Sequence, residues 1–137
     1  MKTGVLKTIK TTVLKVGEPT ITGRVYTKKV IKKALADPYT KERLLSHTLF
    51  GTFGWGALAG EIDPAKIAFV VNKLYWYKNE LRAVIDILET PFGDTLHILL
   101  KNEEIKFTIY GEGQVNENKE VTDYKLYSIL ATTKLGV

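Results

Sequence analysis

The chain has 137 residues, 45% hydrophobic and 26% charged, which fits one globular domain over 1–137 and leaves no room for two ordinary ones. It has no cysteine and two histidines, His47 and His97, far apart in sequence; this excludes a disulfide framework and thiolate metal sites, argues against a histidine-rich metal site and suits a reducing compartment. No cofactor is expected. No apolar run approaches the roughly 18 residues of a membrane span, and no leader peptide is expected from the opening residues.

The net charge of +5 is unevenly placed: residues 1–35 hold nine cations against the single anion Glu18, a balance of +8, and the remainder carries −3. A basic leading third points to an acidic partner, a protein surface or a nucleic acid.

In chain order, residues 4–16 are rich in Val, Leu, Ile and Thr with interleaved lysines, and read as a long strand ended by Gly17 and Pro19. Strand alternation would send Lys7 and Lys15 to one face and Lys10 to the other. Thr27 is placed to cap a helix over 28–36, with Val30, Ile31, Ala34 and Leu35 on one side and Lys28, Lys29, Lys32 and Lys33 on the other; Pro38 is expected to close it. A short apolar segment over 43–50 leads into Gly51, Gly54, Gly56 and Gly60, which lack the Gly-Lys-Ser/Thr of a phosphate loop.

The run Ile67–Tyr77 is compatible with a helix, but its β-branched and aromatic content favours a hairpin. Lys78-Asn79 serves as the turn, and Leu81, Ala83, Ile85 and Ile87 alternate with Arg82, Val84, Asp86 and Leu88. Thr90-Pro91-Phe92-Gly93 reads as a turn and Asp94 as the cap of a helix over 95–101. Strands are expected over 104–110, ending at Gly111-Glu112-Gly113, and over 121–134, with a polar loop between. The fold expected is α+β: a mostly antiparallel sheet or barrel core with two or three short helices.

The chemistry offered is sparse. Neither Ser46 nor Ser128 lies in a glycine-flanked elbow, and Ser46 and His47, if extended, would point to opposite faces. Glu61 and Asp63 suit a solvated turn better than an acid pair. Trp55, Tyr75, Trp76, Tyr77 and Tyr110 would suit a nucleic-acid stacking platform, although aromatic residues in strands more commonly serve a core or an interface.

The order of segments resembles the prohead maturation proteases of tailed phages, whose fold is shared with the herpesvirus assemblins. Thr22-Gly23-Arg24-Val25-Tyr26 before a basic helix is similar to that family's Asn-Gly-Arg-Ile/Val-Tyr-Pro opening. Ile62-Asp63-Pro64 leading through Ile67–Val71 to Leu74-Tyr75-Trp76-Tyr77-Lys78-Asn79 is similar to its central hairpin. Ile85–Asp94 resembles its strand, turn and helix start, and Phe107–Gly113 falls at its Val-Ser-Ser-Arg-Gly-x-Gly run.

By that resemblance, the segment bearing the catalytic histidine corresponds to Gly51-Thr52-Phe53-Gly54-Trp55, which has none. The nucleophilic serine falls at Thr108 or Ile109, and the arginine of the oxyanion site at Tyr110. A threonine without a positioned base is barely nucleophilic at neutral pH. The resemblance therefore implies a catalytically degenerate member: no enzyme, but a structural virion protein, auxiliary to or decorating the capsid.

Such a protein would bind the major capsid protein or other virion proteins through Lys28, Lys29, Lys32, Lys33, Trp55 and Tyr110. It would be present in many copies, with homo-oligomers conceivable, and would reside in the host cytoplasm during assembly and then in the virion. Two alternatives stand beside this expectation. One is an active divergent protease with Thr108 as nucleophile and His47 or His97 as base. The other is a small basic nucleic-acid-binding protein.

Overall fold

A computed structural model describes residues 4–20, 23–53, 64–102 and 105–133. Among them six strands form one sheet in the order β1-β4-β3-β2-β6-β5. The strands are β1 (Val5–Lys15), β2 (Phe50–Phe53), β3 (Phe69–Tyr77), β4 (Glu80–Leu88), β5 (Ile105–Val115) and β6 (Val121–Thr133). All pairings are antiparallel except β2 with β6. The two outer strands, β1 and β5, also pack against each other, so the sheet curls towards a barrel. Helices α1 (Lys28–Leu35), α2 (Pro38–Leu45) and α3 (Pro91–Asn102) accompany it, with one 3₁₀ turn at Pro64–Lys66. This is the α+β architecture expected. No helix among the described residues is long and apolar enough to cross a membrane.

The central hairpin forms as its pattern dictates. Leu81, Ala83, Ile85 and Ile87 are fully buried, and β3 and β4 pair from Phe69↔Ile87 to Tyr77↔Glu80 around the Lys78-Asn79 turn. Helix α1 begins where Thr27 Oγ1 accepts the Val30 N–H at 3.2 Å, and buries Ile31 and Ala34. The core runs from this hairpin across to β5 and β6, where the Phe69 and Phe107 rings meet nearly edge-on with centroids 5.4 Å apart.

Several expectations need correction. Pro38 does not merely end α1; it opens α2, with Asp37 as cap accepting the Tyr39 N–H at 2.9 Å. Proline suits the first helical position because its missing N–H would have no partner there. Ser46 and His47 are consequently not extended. Ser46 caps the end of α2 and its hydroxyl donates to the Glu42 carbonyl at 2.9 Å, while exposed His47 takes φ 56° in the turn that follows.

The residues read as a turn before α3 are its first turn. Thr90, not Asp94, is the cap, since its hydroxyl accepts the Gly93 N–H at 2.9 Å. β5 does not stop at its glycines. It continues to Val115, because a bulge between Tyr110 and Gly111 brings the neighbouring strand so close that a Cβ on Gly111 would stand 2.1 Å from the Lys125 carbonyl oxygen.

The lysines of β1 also fall otherwise than alternation predicts. A bulge between Thr12 and Leu14 resets the register, so Lys10 lies opposite Val84 and Lys15 opposite Glu80, on one face, while Lys7 lies opposite Ile87 on the other. The basic face of α1 is also smaller than expected. Lys28 Nζ donates to the Lys78 carbonyl at 3.0 Å and sits 4.9 Å from the Trp76 ring centre, which leaves Lys29, Lys32 and Lys33 as its exposed cations.

Candidate functional site

The irregular half of the sheet builds a cleft. Residues 48–53 carry the chain from α2 into β2, a strand of only 4 residues wedged between β3 and β6. The Ser128 hydroxyl, 2% exposed, donates to the Phe50 carbonyl and ties β6 to the start of β2. In the β5–β6 register Tyr110 lies opposite Ser128 and Thr108 opposite Leu130, so Thr108 and Tyr110 share a face. Thr52 also lies opposite Leu130, from the β2 side.

At the Tyr110 end of this row is a cleft of about 180 Å³. Its polar and aromatic lining comes from Tyr39 and Arg43 of α2, Thr48, Tyr110 of β5, and Tyr127 and Ser128 of β6; Leu49, Phe50, Pro64 and Ile67 complete it.

Cations and aromatic rings are close together in and around this cleft. The Arg43 guanidinium lies 4.8 Å from the Tyr39 ring centre, and Lys125 Nζ lies 5.3 Å from the same ring and 5.8 Å from that of Tyr127. The Tyr110 and Tyr127 rings lie 6.1 Å apart, and Tyr127 donates its phenolic proton to Glu112 Oε2 at 3.0 Å. Burial, aided by the Glu112 carboxylate, raises the Tyr110 pKa. The hydrogen bond to Glu112, followed by burial, raises that of Tyr127. Both phenols are therefore neutral at physiological pH, and the charged groups at or beside the cleft are Arg43, Lys125 and the Glu112 carboxylate that Tyr127 engages. Chemically, such a lining can hold an anionic or aromatic group.

Thr108 is half-buried in β5. Among the described residues its hydroxyl makes no hydrogen bond, and neither His47 nor His97 is hydrogen-bonded to it. His97 lies on α3. Among the described residues no three His, Cys, Asp or Glu side chains converge as a metal site.

Of the sequence-predicted binding residues, Tyr110 lines the cleft, whereas Lys28, Lys29, Lys32 and Lys33 lie on α1 and are not among its lining. Trp55, with Gly54, Gly56, Gly60, Glu61 and Asp63, lies outside the described residues. Sequence reasoning missed Tyr39, Arg43 and Tyr127. Tyr39 and Arg43 are four apart, the spacing that stacks neighbours on a helix, and Asp37-Pro38 was the available signal that a helix starts there.

The fold as a whole is similar to that of a phage capsid assembly protease. The chain superimposes on the bacteriophage T4 capsid assembly protease, gp21, with a TM-score of 0.82 over 91% of its own length and 80% of that chain, at 20% sequence identity. At this identity the likeness is one of fold. No protein-family model and no curated sequence matches the chain.

Proposed function

We propose that the protein is a non-enzymatic virion component, an auxiliary or decoration protein that reuses the prohead-protease fold to bind the capsid shell. The observation that carries this reading is Tyr110. It stands where the resemblance would have the oxyanion-site arginine, and with Tyr39, Arg43 and Tyr127 it lines a cleft. A fold supports activity only through its site, and Thr108 has no hydrogen-bonded base among the described residues. The fold neighbour is a capsid assembly protease, which makes capsid chains the natural class of partner and the host cytoplasm during assembly the natural setting. No cofactor enters this role.

In this reading affinity comes from the cleft, with Tyr110 and Arg43 as anchors, because aromatic residues and arginine in desolvated pockets dominate binding energy. Lys29, Lys32 and Lys33 mainly raise the encounter rate and orient the approach, and salt screens them.

The test is occupancy on shells that lack the protein. Wild type should load in many copies. Tyr110→Ala and Arg43→Ala should each weaken loading at least about fivefold, while glutamate at Lys29, Lys32 and Lys33 should slow loading mainly at low salt. Wild type that does not load overturns the reading. So does specific cleavage of scaffold or capsid precursors that disappears in Thr108→Ala.

A further inference from the structure

We infer that the outer face of β1, β4 and β3 binds single-stranded nucleic acid, independently of the cleft. The inner face of these strands is core. The outer face is set by register in three rows running from β1 through β4 to β3: Lys10, Val84, Lys73; then Thr12, Arg82, Tyr75; then Lys15, Glu80, Tyr77. Lys78 follows in the hairpin turn. The bulges at Thr12/Leu14 and Val71/Lys73 create this alignment. Without them Lys15 would fall on the core face, and so would Lys73, Tyr75 and Tyr77.

The charge on this face is complementary to a polyanion. Lys10, Lys15, Lys73 and Lys78 are exposed and Arg82 is half-buried. Two carboxylates share the face, and both are engaged: Asp86 is 3% exposed and accepts from Thr8 Oγ1 at 2.5 Å, and Glu80 accepts from Thr12 Oγ1 at 2.7 Å. Arg82 Nε is buried without a hydrogen-bond partner. What reaches solvent is therefore mostly cation.

Aromatic placement selects nucleic acid over an acidic protein. Tyr75 and Tyr77 are two residues apart on one strand, about 7 Å along it, and Tyr77 is 50% exposed. Lys73 Nζ lies 5.6 Å from the Tyr75 ring, and Lys78 Nζ and the Arg82 guanidinium lie 5.5 and 5.8 Å from that of Tyr77. Each ring thus comes with a cation beside it, the pairing that holds a base by stacking and its phosphate by charge. A duplex hides the faces of its bases, so the tyrosines favour a single strand.

The experiment is fluorescence anisotropy with a labelled 15-nucleotide oligothymidine on the full chain, between 50 and 200 mM salt. The expected result is binding whose logarithm falls by about 3 per decade of salt, the slope for about four phosphate contacts on a single strand. Tyr75→Leu with Tyr77→Leu should weaken it about tenfold with the salt slope kept. Tyr77→Leu alone, at an exposed position, should weaken it about fivefold. Lys73→Gln with Lys78→Gln should lower the slope by about 1.4. Tyr110→Ala, which tests the cleft, should bind the oligonucleotide as wild type does. No binding at 50 mM salt overturns the inference. So do a folded Tyr77→Leu variant that binds within twofold of wild type, and duplex DNA or polyglutamate that competes as well as the single strand.

Discussion

The two halves of the sheet are built differently. β1, β4 and β3 are 11, 9 and 9 residues long, all antiparallel, and joined at β3–β4 by a two-residue turn. β2, β6 and β5 combine the 4-residue β2 with strands of 13 and 11 residues and include the parallel β2–β6 pair. The first half carries bulges at Thr12/Leu14 and Val71/Lys73 but keeps long, wholly antiparallel strands and presents a polar outer surface. The second also carries bulges, and adds a 4-residue strand, a parallel pairing and in-strand glycines; beside that short strand the cleft opens. Long paired strands leave no gap in the sheet, whereas a short strand leaves a notch for side chains to line.

The halves nevertheless share one core, and the sharpest way to break that union is Phe69→Ala. Phe69 is fully buried in β3 and meets Phe107 of β5 across the seam. Its loss removes the ring contact and leaves a cavity, an expected cost of about 3–5 kcal/mol. Urea unfolding followed by tryptophan fluorescence and by far-ultraviolet circular dichroism should show one coincident transition at lower midpoint. Two separated transitions would show that the halves fold as independent units.

A polar contact in each half sharpens the comparison at smaller scale. Asp86, buried in β4, is held by the Thr8 hydroxyl. Thr8→Val removes a hydrogen bond from the buried Asp86 carboxyl group and should cost about 1–3 kcal/mol. In the other half Ser128 donates to the Phe50 carbonyl, a neutral bond. Ser128→Ala should cost about 0.5–1.5 kcal/mol. Thermal melts of the two variants should keep this order. Its reversal would mean that the half with the short β2, not the long-stranded half, depends more on its polar ties.

How much of this was legible in the sequence follows the same division. The hairpin was readable because Leu81, Ala83, Ile85 and Ile87 alternate strictly and their turn is local. Thr27 announced α1 for the same local reason. Reading Pro38 as a helix stop hides α2, and with it Tyr39 and Arg43. The bulge at Thr12/Leu14 leaves no mark in composition, yet it moves Lys15 to the opposite face. The cleft is assembled from segments as far apart as Tyr39 and Ser128, through a parallel pairing that no local pattern encodes. Tyr110 was singled out through a family resemblance, not through periodicity.

The smallest expected effect at neutral pH lies at Tyr124, in the half with the short β2. Tyr124 on β6 meets Tyr26 edge-on with ring centroids 5.3 Å apart. Burial raises its pKa well above the ordinary tyrosine value, the neighbouring Tyr26 adds to this, and Arg24 opposes it. In the unfolded chain the phenol ionises near pH 10. Above that pH the unfolded chain releases its proton while the folded chain retains it, so the unfolded state binds fewer protons and stability falls as pH rises. Below pH 10 both states are protonated and the contribution is constant. Tyr124→Phe keeps the ring contact and removes the ionisation. It should match wild type within about 1 kcal/mol at pH 7 and lose less stability between pH 10 and 11.5. Urea midpoints over that interval decide it. Equal alkaline losses in the two proteins would show that other groups set the alkaline limit of the fold.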